Sequence, residues 1–289
     1  MGHEPQHAHA GPLVHLGAGG PSWPRELDHI EVPPEALWLR GRIELLAVRP
    51  RVAIVGSRAP TEYGLTQARR FGGALAAAGV CVVSGLARGI DAAAHEAALE
   101  RGGATLAVVG SGVDRPWPEG PLAERMARSG LLVSELAPGT PPRRHHFPLR
   151  NRLIAGLCTA VVVVEAAARS GSLITARWAV DQGREVLAIP GRVDRPLSIG
   201  CLELIAKGAR VAIGPSDVLD VLGLAAEARG APPLPTTPLL EELATGALCA
   251  DDLSRRLARP LMGVLAELAE LELDGRVSRG PGGLYRRLA

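Results

Sequence analysis

Seven short runs of almost uninterrupted apolar, largely β-branched residues constrain this 289-residue chain more than any other feature. They are Val52–Val55, Val80–Val83, Thr105–Val109, Leu131–Ser134, Val161–Val164, Val186–Ile189 and Arg210–Ile213. A strand with one wet face alternates apolar and polar side chains, whereas a strand covered on both faces does not. Amphipathic stretches rich in Ala, Arg and Glu separate the runs, so each strand feeds a helical crossover and the strands run parallel. The expected fold is therefore α/β, a doubly wound and mostly parallel sheet. The chain has only four Trp, two Tyr and two Phe, which leaves the core to Ala, Val, Leu and Ile.

The strand-helix rhythm sets the expected boundaries. Residues 1–20 are rich in His, Gly and Pro without periodicity and read as a disordered tail. Residues 21–47 form an approach segment packing on the core, and 48–222 hold the α/β domain. Residues 223–238 contain the Pro-rich stretch Gly230–Pro238 and form a linker. In 239–289, helical patterns at Leu239–Leu243, Asp251–Leu257 and Pro260–Leu273 precede a short hairpin through Pro281-Gly-Gly, a winged-helix pattern. The four scattered cysteines suggest neither a zinc site nor disulfides. The longest apolar runs fall far short of the ~20 residues of a membrane span. A soluble cytoplasmic protein without cofactor or metal is the expectation.

The net charge of +2 hides a strong asymmetry. Residues 48–222 carry 21 basic and 15 acidic side chains, a net of +6, against −3 for 1–47, 0 for 223–238 and −1 for 239–289. Arg143, Arg144, Arg150 and Arg152 fall within ten residues, and no Asp or Glu occurs between Glu135 and Glu165. Arginine supplies planar forks suited to phosphate. Phe147 lies inside this segment, where a base-stacking or anchoring role is favoured over a ring tucked under its own domain. With a helix starting near Leu149, Arg150, Asn151 and Arg152 occupy its first turn, where cations oppose the helix dipole unless an anion binds.

Three Gly/Ser loops follow strands: Gly56-Ser57-Arg58, Gly110-Ser111-Gly112 and Ser170-Gly171-Ser172. At the carboxyl edge of a parallel sheet such loops offer backbone N–H groups and helix N-termini to phosphates. None forms a dinucleotide or NTP fingerprint, so a row of phosphates fits better than a single one. Asp91 and His95 share a helix face and Glu135 and Glu165 end strands, but a cap, a packed ring and carboxylates tethering arginines explain them without catalysis. No nucleophile elbow, H-E-x-x-H or nuclease-type carboxylate cluster occurs.

The order and spacing of Gly56-Ser-Arg-x5-Gly64, Ser84-Gly-Leu-Ala-Arg-Gly-Ile-Asp91-x3-His95, Gly110-Ser-Gly-Val-Asp114, Ser134-Glu135, Phe147-Pro-Leu-Arg-Asn-Arg152, Val164-Glu165-x4-Ser170-Gly-Ser-Leu-Ile-Thr175, Pro190-Gly191 and Gly208-Ala209 resemble the DprA/Smf family, DNA-processing protein A. The resemblance spans about residues 22–289. It implies an extended Rossmann-like fold with a small winged-helix C-terminal domain, and a non-enzymatic protein that binds and protects incoming single-stranded DNA. It also implies loading of RecA during natural transformation and in recombination and repair. The DNA-contacting residues it implies are Gly56, Ser57, Arg58, Ser111, Gly112, Arg144, Phe147, Arg150, Asn151, Arg152, Ser170 and Gly171. Expected partners are single-stranded DNA, RecA, a second copy of the chain as a homodimer, and secondarily single-strand binding protein.

The chain departs from the family pattern at Trp117-Pro118, where Tyr-Pro is usual, and at Leu202, where an Asn commonly stands. In the C-terminal unit, Leu261, Val264, Leu265, Leu268 and Leu271 give the third helix its apolar face. Glu267, Glu270 and Glu272 line the outer one, which opposes duplex phosphates. A protein-interaction or auxiliary role is favoured there, with Arg276, Arg279, Arg286 and Arg287 in the wing. The alternative function is a nucleotide-binding enzyme or sensor of the phosphoribohydrolase type, whose Pro-Gly-Gly-x-Gly-Thr loop has no counterpart in Ala166–Thr175.

Overall fold

The structure, a computed structural model, describes residues 13–224, 237–244, 246–273 and 276–288. Two compact units divide between Arg229 and Gly230. Most of the expected linker lies outside the described residues.

The first unit is built on a nine-stranded sheet. All seven expected strands are present, as β3 (Arg51–Val55), β4 (Cys81–Ser84), β5 (Thr105–Val108), β6 (Leu131–Ser134), β7 (Ala160–Val163), β8 (Glu185–Ala188) and β9 (Arg210–Val211). They are parallel and ordered β6-β5-β4-β3-β7-β8-β9. The chain leaves β3 in one direction, through β4 to β6, then returns to build β7 to β9 on the other side. The order reverses between β3 and β7, the position where open α/β sheets form a crevice at their carboxyl ends.

Alternate strand residues face opposite layers. Val52 and Ile54 pack with Phe71, Leu75 and Ile90 from α1 (Glu62–Ala77) and α2 (Ile90–Glu100), joined by Val218 of α7 (Pro215–Val221). Ala53 and Val55 face Leu153 and Ile154 of α4 (His146–Gly156) and Ala176 of α5 (Ser172–Asp181). A third cluster holds Ala123 and Met126 of α3 (Pro121–Ser129) against β5 and β6. The remaining helix, α6 (Ile199–Ala206), follows β8.

Two further strands were not visible as apolar runs. β1 (Leu13–Gly17) and β2 (Ala36–Gly41) pair antiparallel, and β2 adds to β6 with Leu39 opposite Val133. The expected tail of residues 1–20 is thus corrected: residues 13–17 form an edge strand, His15 stacks on Trp38 at 4.4 Å between centroids, and Val14 and Leu16 pack toward the core. Their alternation marks a strand with one wet face, which the His- and Gly-rich surroundings mask. The approach segment is tied down by charge as well as by Trp23, Leu27 and Leu37. Glu26 receives Arg49 at 2.6 Å and the fully buried Arg51 at 2.5 Å, and Arg51 also donates to the Leu46 carbonyl.

The second unit has helices α8 (Pro238–Ala244), α9 (Ala250–Leu257) and α10 (Leu261–Leu273) and a sheet ordered β10 (Leu248–Cys249), β12 (Leu284–Arg287), β11 (Val277–Arg279). This is the expected winged helix with a short third strand added. Val264, Leu268 and Leu271 of α10 are buried against Leu240, Leu253 and Tyr285, whereas Leu261 is exposed. Glu267 is drawn inward by Arg259 at 2.6 Å, and Glu272 accepts the Arg279 backbone N–H at 3.4 Å. Among the three outer-face carboxylates, those two are therefore held within the unit.

Candidate nucleic-acid interface

An open pocket of about 660 Å³ lies at the β3/β7 reversal. Its floor is fixed by backbone bonds across the reversal. The Ser57 N–H donates to the Glu165 carbonyl at 2.7 Å, and the Ser57 carbonyl accepts from Ile90 N–H at 3.2 Å. Gly56 permits this approach, since a Cβ there would lie 2.7 Å from Ile90 Cγ1 and 2.9 Å from the Glu165 oxygen. The Glu165 side chain accepts from Thr61 N–H at 2.9 Å and Thr61 Oγ1 at 2.6 Å. It thereby closes the N-terminus of α1 rather than tethering an arginine.

The helix expected near Leu149 begins three residues earlier, at His146. Arg143 and Arg144 consequently precede its first turn and are exposed, while Arg150, Asn151 and Arg152 fall beyond it. The dipole penalty expected for Arg150 and Arg152 does not apply, because it decays within one turn. Phe147 is half-buried in the first turn, with the exposed Arg58 guanidinium 5.6 Å from its ring centroid, a cation–π distance.

Burial divides the arginines sharply. Arg150 donates to the Gly85 carbonyl at 3.0 Å and to the Val108 carbonyl. Burial pushes its guanidinium down to about 10, partly offset by Asp91, so it stays charged at neutral pH. Asp91 accepts the Gly85 N–H at 3.0 Å; burial raises its carboxyl and Arg150 pulls it back. Arg152 is 2% exposed and forks onto both Glu135 oxygens, with Nη1 to Oε1 at 2.7 Å, while Nε donates to the Val32 carbonyl. Arg152 is therefore committed inside the fold and does not line the pocket.

The three glycine loops also part company. At α5, no acidic residue enters the first turn, and Ser170 Oγ meets Ser172 Oγ at 2.8 Å and accepts the Ser172 N–H at 3.3 Å. This leaves a helix N-terminus facing the pocket without a negative partner of its own. Asn151 Nδ2 ties the loop to α4 through the Gly171 carbonyl at 3.3 Å. The Gly110 loop is structural instead. A Cβ on Gly110 would lie 3.0 Å from Phe147 Cδ1, Ser111 Oγ donates to the Arg115 carbonyl at 2.8 Å, and Gly112 N–H donates to the Thr140 carbonyl at 2.9 Å. Ser111 and Gly112 are buried, and neither lines the pocket.

Nine of the twelve sequence-predicted residues are thus brought together: Gly56, Ser57, Arg58, Arg144, Phe147, Arg150, Asn151, Ser170 and Gly171. Ile154, Ile174, Thr175 and Leu197 also line the pocket and went unmarked, and Asp91, which the sequence marked only as a cap, lines it too. As apolar or capping residues inside helical patterns, most of them carried no signal that separates lining from core. Leu202 lies in α6, outside the pocket lining. His95 is wholly buried with Nδ1 2.7 Å from Thr105 Oγ1, and burial pushes its ring down to about 3.

The rim is cationic. Exposed Arg88, Arg115, Arg169 and Arg195 join Arg58, Arg143 and Arg144 in loops that follow β4, β5, β7, β8, β3 and β6, whereas Arg192 is forked onto Asp194 at 2.9 Å. The carboxylates of Asp91, Asp114, Glu135 and Glu165 on the same edge are engaged by backbone amides or by buried Arg152. Guanidiniums facing solvent beside a helix N-terminus, with a ring among them, match an anion that also carries flat apolar surfaces.

A sequence model described as DNA recombination-mediator protein A matches residues 15–223, and one for the DprA winged helix domain matches 225–283. Protein Smf of Escherichia coli is 41% identical over 269 residues, covering 88% of this chain and 72% of that protein. The DNA processing protein DprA of Streptococcus pneumoniae is 45% identical over 199 residues, 68% of this chain and 70% of that one. Its X-ray structure superposes with a TM-score of 0.68 at 42% identity over 72% and 74% of the two chains. The Helicobacter pylori protein, described for its single-stranded DNA binding mode, gives 0.66 at 29% identity over 73% of this chain and 96% of that one. Among the described residues, no helix is long and apolar enough to cross a membrane.

Proposed function

The chain belongs to the DNA recombination-mediator protein A family, and from that premise we propose that its switch-point pocket binds single-stranded DNA. Arg58 and Arg144 contact phosphates, the α5 N-terminus at Ser170-Gly171 donates to a further phosphate oxygen, and Phe147 contacts a base. Arg150 and Asn151 position this face from below. The protein acts in the cytoplasm as a recombination mediator, as a dimer that shields incoming strands and passes them to RecA in transformation and repair, without catalysing a reaction itself. The observation that carries the reading is that two solvent-facing guanidiniums, an aromatic ring and a helix N-terminus without a carboxylate of its own line one pocket.

Gel-shift competition between an oligo-dT and a duplex of equal length, over a salt series, tests it. Binding is expected to favour the single strand and to weaken steeply with salt. Wild-type affinity in an Arg58→Ala, Arg144→Ala double variant at moderate salt would exclude this pocket. Delivery to RecA is tested by strand-exchange rate on strands precoated with single-strand binding protein, with and without this protein. Release of free base from a nucleoside monophosphate by the purified chain would favour the phosphoribohydrolase reading instead.

A further inference from the structure

The loop between β5 and α3 carries a feature that the pocket does not use. Trp117 is 50% exposed, the most exposed of the large aromatic side chains among the described residues. The loop beneath it is rigidly held. Ser111 Oγ bonds the Arg115 carbonyl at 2.8 Å, Arg115 N–H returns to the Gly112 carbonyl at 3.0 Å, and both Asp114 oxygens accept Gly139 N–H at 2.9 Å. These bonds pin it to the segment that leads to Arg143 and Arg144. The loop also begins at Gly110, against the Phe147 ring.

We propose that Trp117 is a second base-stacking position, with Arg115 as its phosphate contact, extending the single-strand track from the pocket along the carboxyl edge of the sheet. This inference rests on the pocket reading given above. A tryptophan half exposed on a braced loop offers a large apolar face to solvent, and nucleobases stack on such faces without sequence preference. Charge narrows the occupant. Arg88 and Arg115 are exposed in loops after β4 and β5 and Asp114 is occupied by Gly139, which leaves the exposed Glu119 as the carboxylate facing solvent on the Trp117 loop. Two strand spacings, about 10 Å, separate the ends of β3 and β5 from which the Arg58 and Trp117 loops spring. The bonds of Ser111 and Gly112 make both residues supports of this loop.

The test uses the full chain and oligo-dT of increasing length, with tryptophan fluorescence and affinity both read over a salt series. Wild-type fluorescence is expected to be quenched by long oligomers, and the quench to be reduced in Trp117→Phe, which retains near wild-type affinity. Trp117→Ala is expected to weaken binding of long oligomers about five- to tenfold with the salt slope unchanged, because no phosphate contact is lost. Wild-type affinity in Trp117→Ala together with an unaltered quench in Trp117→Phe would overturn the proposal. So would a change of sedimentation in Trp117→Ala without a change in DNA affinity, which would make the ring a protein contact. If Arg58→Ala, Arg144→Ala also binds as wild type, the pocket reading has failed; if that variant alone loses binding, only the Trp117 step has.

Discussion

The two ends of one ten-residue segment, Arg143 to Arg152, have the same composition and opposite fates. At its start Arg143 and Arg144 stand in solvent ahead of α4; at its end Arg150 and Arg152 are buried, 5% and 2% exposed, on carbonyls and on Glu135. Helix geometry makes the difference. A start at His146 leaves the first pair outside and turns the second pair toward the strand ends, where unpaired carbonyls and a carboxylate wait. A cluster of arginines is therefore two devices, one that holds the fold and one that faces solvent.

The largest expected effect breaks the buried end. Arg152→Ala leaves Glu135 and the Val32 carbonyl without their donor and is expected to cost about 3–5 kcal/mol of stability, read as a denaturation midpoint, while DNA affinity per folded molecule stays unchanged. Next comes pH. His95 is held neutral in the native state and its ring is pushed down to about 3 from an ordinary 6.5. Between those values the unfolded chain binds the extra proton, so stability falls as pH drops from about 6.5 toward 3, by up to about 1.4 kcal/mol per unit. A calorimetric melting series should show that slope flatten in His95→Asn.

The exposed end behaves in the reverse manner. Arg58→Ala and Arg144→Ala should each change stability by less than about 0.5 kcal/mol. Each should weaken single-strand binding and lower the magnitude of the salt slope by roughly 0.7–1. Loss of fold in either variant would erase the distinction between the two ends. The smallest effect belongs to Phe147→Leu, which keeps the packing on Gly110 and removes the π-face. A loss of about 1–2 kcal/mol in binding with an unchanged salt slope is expected by titration.

How far the sequence revealed these features depends on how local their causes are. Seven strands were legible because burial on both faces writes a continuous apolar run. β1 and β2 were not, because a half-wet strand of five or six residues resembles a polar terminus. The placement of Arg58 and Arg144 at the pocket was legible from the company they keep, whereas the inward turn of Arg152 depends on Glu135, 17 residues earlier and on another element. Gly110 illustrates the limit of motif reading: its missing side chain makes room for Phe147, which a loop that cradles phosphate and a loop that does not would spell alike.

The seam between β3 and β7 has a kinetic consequence. Because the Ser57 N–H is spent on Glu165, the strand-end amide there cannot clamp a phosphate. In the proposed site, retention at the β3 side then falls to long side chains such as Arg58, each able to let go separately. A polymer held by independent fingers dissociates by fraying, one residue at a time, so its lifetime shortens as soon as a competitor occupies each vacated nucleotide. Such a grip favours transfer over storage.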